Sequence, residues 1–328
     1  MNQCSSRNPY SCLLPVIVVT IVVALVIGAL VLLYLKDRFV AKVGQSVTLA
    51  AADIADKLDM LLVERSGDLQ ILLRTDAFRQ FDRVAMAGYL LTLQESYPAY
   101  QWAGVADAHG RVVTATDKTT IGRDLSAETG FQAVIGGQST VAQSAGAFTD
   151  KGGTFSVTFI GRLTGVQGEF LGAVITRVGL PAIEGVFART MEVMRAQWGL
   201  AVRLEYQLLS RAGEILAESE RLKGDGINLK RMGLPSAQRV ETGLPGYVEE
   251  QHQRRHEPVI TGYAMTKGGQ DRTELQWGVL VRVDQRDILA PIEEVLWKIG
   301  GAGTVVFVPL LIALWWSAVH LRREYAQA

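Results

Sequence analysis

Apolar positions in this chain follow three rules in turn. At the two ends they are continuous: the runs Leu13 to Leu35 and Ile299 to Val319 contain no charged residue. Each reaches the roughly 20 residues that a helix needs to cross a bilayer. From Lys36 to about Arg74 the rule changes. There is no proline, and apolar residues recur at Val40, Val43, Val47, Ile54, Leu58, Leu61, Leu69 and Leu72. Spacings of three and four, and their sums, mark one face of a helix. The pattern predicts a stalk helix over 36–74 that continues the first run. Such a face must be buried against the domain itself, a partner helix or both. A second helix is predicted from Asp76 to Ser96, ending before Pro98.

Beyond Pro98 the period shortens to two. Trp102–Ala108 and Arg111–Thr116 are β-rich and joined by Asp107-Ala108-His109-Gly110, which reads as a hairpin. A helical piece from Ser126 to Gly136 follows, then strands over Ser139–Phe148, Thr154–Leu163 and Glu169–Val178. Strict alternation in Thr154-Phe155-Ser156-Val157-Thr158-Phe159 predicts one wet and one packed face. A helix over Leu180–Trp198 closes this module. The plan then repeats. Val105–Thr116 aligns with Leu208–Ser219, so that Gly110 falls on Gly213, and Gly172-Ala-Val-Ile aligns with Gly278-Val-Leu-Val. Two α+β modules in tandem, 75–198 and 199–298, follow from this weak duplication. A last helix, from about Asp287 to Lys298, leads into the second apolar run.

Composition sharpens the picture. The 328 residues carry 33 basic and 33 acidic side chains. A net charge of zero argues against a nucleic-acid partner, which needs a basic face. The mean hydropathy of +0.18 comes largely from the end runs. Both cysteines, Cys4 and Cys12, precede the first run, and Cys4 is not placed as a lipobox would place it. The first run is longer than a signal-peptide core and ends Leu33-Tyr34-Leu35-Lys36-Asp37 without small residues, so it reads as an uncleaved anchor. Tyr34, Trp297, Trp315 and Trp316 suit interfacial belts. The expected layout is a two-pass inner-membrane protein. Residues 1–12 and 320–328 are cytoplasmic, 13–35 and 299–319 cross the membrane, and 37–298 are extracytoplasmic. The short tail after the second run has no room for an output domain, so a separate signalling protein is expected to receive any signal.

Several segments together carry a family resemblance. They are the stalk helix, "WAGVADAHGRVVTAT", "IGRDLSAETGFQAVIGGQSTV" and "GEFLGAVITRVGL", then "YQLLSRAGEILAES" and "LQWGVLVRVDQRDILAPI". In this order they resemble the double Cache family of extracellular sensors, tandem PAS-like modules, over residues 37–298. The resemblance implies an α+β receptor ectodomain flanked by two transmembrane helices. Its membrane-distal module holds a small ligand and its proximal module relays. Outputs in the family are chemoreceptors, histidine kinases and cyclic-dinucleotide enzymes. The amino-acid-binding subgroup carries an Arg-x-Trp-Tyr type motif near the central helix. Glu128-Thr129-Gly130-Phe131-Gln132 stands there instead.

A ligand pocket in such a module lies between the sheet and the helix and loop that cover it. By position, its candidate lining is Trp102, Thr114, Arg123, Phe131, Ser144, Phe148, Phe155 and Thr158. Turn formation accounts for Asp107 and Gly110. His252 and His256 are four apart but lack the Glu of an H-E-x-x-H motif, so they read as a charged surface segment rather than a metal site. There is no phosphate loop, no G-x-S-x-G elbow and no cysteine–histidine pairing. Nothing points to an enzyme, a metal or a cofactor. The expected function is a sensor that binds a small solute and dimerises along Val40–Leu72. The alternatives are a non-switching membrane scaffold and the front part of a split kinase, chemoreceptor or cyclase.

Overall fold

The computed structural model describes residues 13–145, 155–198, 202–219, 227–268 and 275–290, with scattered positions between 294 and 316. Two units divide the chain: residues 1–43 with 285–328, and residues 44–284. The helix α1, Leu13–Arg74, begins in the first unit and ends in the second. In the first unit Val22, Leu30 and Leu33 on α1 are exposed apolar side chains, and residues 285–290 are helical. Among the described residues no helix is long and apolar enough to cross a membrane. Most of 299–319 lies outside them.

In the second unit α1 buries Val47, Ala51, Ile54, Leu58, Leu62 and Leu69, so the helical period read from the sequence is the packed face. That face meets the protein's own sheets. The residues expected to pair with a partner helix are therefore already covered. The predicted second helix is two: α2, Asp76–Arg79, and α3, Arg83–Ser96. Phe81 takes a positive φ of 53° between them. Asp82 then accepts from the backbone N–H groups of Val84 and Ala85 and starts α3 afresh.

Two five-stranded antiparallel sheets follow. The first contains β1, Tyr100–Asp107; β2, Val112–Ala115; β3, Thr140–Ala145; β4, Ser156–Thr164; and β5, Phe170–Gly179. Its strand order is β2-β1-β5-β4-β3. Helices α4, Thr129–Ile135, and α5, Leu180–Trp198, complete this half. The second sheet contains β6, Leu204–Leu209; β7, Ile215–Glu218; β8, Gly246–Gln251; β9, Pro258–Met265; and β10, Gly278–Asp284. Its order, β7-β6-β10-β9-β8, repeats the first. A short helix α6, Pro235–Arg239, lies between β7 and β8.

The outer faces of both sheets meet α1. A side chain on Gly161 in β4 would strike Leu69 and Leu73, and one on Gly262 in β9 would strike the backbone of Val47 and Thr48. Alpha-helical backbone and strand approach this closely only where no Cβ intervenes. On the inner side of the first sheet, α4 packs Phe131 and Val134 against Ile160 and Ile175. Helices thus cover both faces of β4. Ser156 to Gly161 are all buried, which corrects the expectation of one wet face.

Candidate functional site

The first sheet's inner face opens at one end into a cleft of about 310 Å³. Strand β1 contributes Gln101 and Trp102, β2 contributes Val112, and β5 contributes Ile175 and Arg177. The segment between β2 and α4 supplies Asp117, Thr120, Arg123, Leu125 and Glu128. Gln101 and Trp102 are neighbours, yet both reach the cleft. A bulge makes this possible, because β1 pairs Tyr100 with Val178 and Trp102 with Arg177, leaving Gln101 over. The Trp102 ring lies over Gly104, where a Cβ would fall 2.5 Å from Cη2. Its indole N–H donates to Thr120 Oγ1 at 3.0 Å.

The cleft carries balanced charge. Arg123 and Glu128 face each other at 3.7 Å, both partly exposed, an arrangement worth little by itself. Asp117 accepts from the Thr119 hydroxyl and backbone N–H, and these bonds hold its carboxyl below the usual range. Two guanidinium groups, two carboxylates, one indole and an apolar floor of Val112, Leu125 and Ile175 can hold a small polar solute by several edges at once.

Of the residues expected to line a pocket, Trp102 and Arg123 are in the cleft. Thr158 shares the row of Arg177, directly opposite it on β4, and is buried. Thr114 pairs with Val105, on the face opposite Trp102. Phe131 is core. Phe155 packs edge-on against the fully buried Trp277, with centroids 5.7 Å apart. Ser144 pairs with Val157 on β3, but its side chain is not among those described, and Phe148 lies outside the described residues. Arg177, Asp117 and Glu128 were not foreseen. The available signal for Arg177 was a single cation inside the otherwise uncharged strand Phe170–Gly179.

The corresponding end of the second sheet is filled instead. His252 is buried, not part of a surface segment, and its Nε2 meets Glu205 Oε2 at 3.0 Å. His252 Nδ1 accepts from the backbone N–H groups of Arg254 and Arg255, so Nε2 carries the proton towards Glu205. Arg255 binds Glu205 at 2.7 Å and grips Asp284 with both terminal nitrogens at 2.7 and 3.0 Å. Arg282, almost fully buried, donates to Thr261 Oγ1 at 3.1 Å and reaches Glu250 at 3.5 Å. Glu250 accepts from the Ser236 hydroxyl and N–H at the start of α6. Burial works against the Glu205 anion. The His252 hydrogen bond and the Arg255 and Arg282 charges outweigh it and hold the carboxyl below its ordinary value.

No family model matches the chain, and no curated protein matches it. Solved structures do. The extracellular domain of vpHK1S-Z8, which carries the name of a histidine kinase, aligns with a TM-score of 0.56 and 14% identity, covering 78% of this chain and 96% of that one. The ligand-binding domain of the Pseudomonas fluorescens chemoreceptor CtaA in complex with L-serine aligns at 0.53 and 15%, covering 74% and 98%. Methyl-accepting chemotaxis protein X aligns at 0.53 and 17%, covering 74% and 97%. The chain shares the two-sheet fold of these extracellular and ligand-binding domains. The long N-terminal helix and both five-stranded sheets of that fold are present. At these identities the likeness concerns the fold alone; by name the matched chains are an extracellular domain of a histidine kinase and the ligand-binding domain of a chemoreceptor.

Proposed function

We propose that the chain is a membrane-anchored sensor whose first-sheet cleft binds a small extracytoplasmic solute and whose helices relay the change to a separate signalling protein. The observation that carries this reading is the contrast between the two sheets: one has an open, charge-lined cleft and the other is filled by its own ion pairs. In this reading 75–198 is the membrane-distal binding module and 199–298 the proximal relay. Residues 13–35 and 299–319 are the spans on either side, joined through the stalk 36–74. The membrane placement rests on the uncharged runs at the two ends.

A route out of the cleft supports the relay. Tyr100, just before the bulge that aims Trp102, donates its hydroxyl to Asp68 on α1 at 2.7 Å. Arg65 binds the same carboxylate at 2.9 Å and lies over the Tyr97 and Tyr100 rings. A solute that favours one setting of β1 therefore biases α1 through this clasp. It signals only by its difference in affinity for the two settings. The proposed homodimer uses the face of α1 that the sheets leave open, where Leu49, Met60, Val63 and Ile71 are more than half exposed.

The test is thermal stability of the full-length chain against a wide set of small metabolites, amino acids included. A solute at a hundred times its Kd adds about 2.7 kcal/mol. The expected result is a specific upward shift that Trp102→Ala removes. Absence of any shift across the set rejects the sensor and leaves the scaffold.

A further inference from the structure

The turn 252–257, between β8 and β9, carries the ion pairs of the second sheet, and its centre is a histidine. The His252 N–H donates to the Glu257 carbonyl and the His256 N–H to the His252 carbonyl, which closes the turn. Closing it sets the exposed His256 at a positive φ of 54°. A residue other than glycine keeps that conformation only where other bonds offset its cost. Two such bonds end on the His252 ring: the N–H groups of Arg254 and Arg255 both donate to Nδ1 at 3.2 Å. The same two residues bind the strands. Arg254 grips Glu218 on β7 with both terminal nitrogens at 3.1 Å. Arg255 spans Glu205 on β6 and Asp284 on β10. One ring nitrogen therefore sets the backbone from which two arginines tie three strands together.

The surroundings of the ring make opposite demands on it. On the Nε2 side stands Glu205, a buried carboxylate 3.0 Å away, which attracts a positive imidazolium. On the other side two N–H groups occupy the Nδ1 lone pair that a second proton needs. Nδ1 cannot accept from them and carry a proton as well. Among the described residues, the further charges of the network come from every strand packed here. Arg254 and Arg255 on the turn and Arg282 on β10 oppose a positive ring. Glu218 on β7, Glu250 on β8, Asp284 on β10 and Glu257 on the turn favour it. With Glu205, five carboxylates stand against three guanidinium groups, so a proton gained by the ring reduces the imbalance.

We infer that the second sheet is itself a sensing element, and that the ligand it answers is the proton, taken up from solvent on His252 Nδ1. This goes beyond the solute reading and holds whether or not the first-sheet cleft binds a solute. Uptake replaces an acceptor by a donor opposite two N–H groups. The amides of Arg254 and Arg255 lose their partner, and the turn is free to leave the left-handed setting of His256. Both arginine grips lose the backbone that aims them. Asp284 closes β10, the strand by which the chain leaves this sheet, so one of the grips released is the one on the exit strand. Histidine is the side chain that ordinarily changes charge between about pH 5 and 8, which makes the turn a latch for moderate acidity.

The experiment measures amide hydrogen exchange of the purified full-length chain at about pH 8 and about pH 5, each corrected for the intrinsic rate. Protection of segment 253–257 is expected to fall about tenfold or more at the lower pH, the worth of two hydrogen bonds. Residues 259–264 of β9 should keep theirs. His252→Asn puts a side-chain oxygen where Nδ1 accepts, with no proton to gain, so its turn should be equally protected at both pH values. Nitrogen-15 labelling of the histidines reads the ring directly: Nδ1 of His252 should gain its proton over the range in which the turn opens. Protection that does not change with pH, or that falls equally in His252→Asn, overturns the inference. Should His252→Asn fail to fold, the wild-type ring decides: protonation of Nδ1 as the turn opens supports the inference, and an Nδ1 that stays unprotonated throughout overturns it. A solute bound in the cleft beside an unresponsive turn removes the proton reading alone. A responsive turn in a chain that binds no solute removes only the solute reading.

Discussion

Replacing Gly262 by alanine tests whether α1 is seated on the second sheet as described. The new Cβ would lie 2.6 Å from the amide nitrogen of Thr48 and closer still to the Val47 carbonyl. Both obstacles are helix backbone, which cannot rotate away as a side chain does. The helix has to retreat by roughly 1 Å, a gap that forfeits a quarter to a half of each dispersion contact it opens. Those contacts belong to Val47, Ala51 and Ile54, all at 0% exposure. Overpacking of this kind costs about 1–3 kcal/mol. Gly262 has no positive φ, so alanine also regains about 0.4–1 kcal/mol from the unfolded chain. The net expectation is a loss of about 1–2 kcal/mol, a melting temperature lower by roughly 2–8 °C for a unit of this size. Gly67→Ala is the matched control. It lies within the same helix with nothing within 4 Å of its Cβ position, and should gain about 0.5–1 kcal/mol. Thermal melts of the full-length chain followed by tryptophan emission read both. A Gly262→Ala protein as stable as wild type would refute the backbone contact.

Other outcomes follow from the same geometry. Because the folded chain holds the Glu205 carboxyl below its ordinary value, the unfolded chain takes up that proton first, and stability falls as pH drops below about 4. Glu205→Gln should lower stability at pH 7 by about 3 kcal/mol and flatten that acid limb; an unchanged limb in pH-dependent melts contradicts it. Gly104→Ala should push the Trp102 ring off Thr120, costing about 1 kcal/mol of stability while weakening solute binding in a fluorescence titration. Cysteines at Met60 or Val63 should crosslink between copies in membranes, and cysteines at Val47 or Ile54 should not; the reverse pattern would place the partner helix on the buried face.

The sequence carried the architecture where one residue type does one job. The leucine and isoleucine spacing from Val47 to Leu72 gave the packed face of α1, and Asp107 with Gly110 gave the β1–β2 turn, where Asp107 accepts from the N–H groups of His109 and Arg111. The Gly110–Gly213 offset disclosed the repeat, while the strand register sets Gly278 level with Ala173, one residue from the Gly172 match read from the sequence. Readings failed where a polar residue had a partner far along the chain. His252 sits among Arg254, Arg255 and Glu257 and looks solvated, but Glu205, Glu218 and Asp284 come from other strands to meet this segment. Ser156 and Thr158 look like a wet face because nothing local tells that helices cover both sides of β4. Trp102 and Arg123 could be placed from the hairpin and loop. Arg177 needed the register that sets it opposite Trp102.

The helix shared by both sheets also governs how the polypeptide is made. Val47, Ala51, Ile54 and Leu58 emerge early, yet the strand carrying Val279, Val281 and Val283, on the face that receives them, is finished only at Asp284. At ~5–20 residues per second, that stretch of α1 waits on the order of ten seconds or longer with its apolar side bare. The first sheet can close on Leu69 and Leu73 well before then. The second sheet takes its cover from α1 in the other half, so a cut between Trp198 and Leu204 leaves that sheet bare on one face. The two halves are for that reason a single product of synthesis, and the apolar side of α1 stays bare until the last strand arrives.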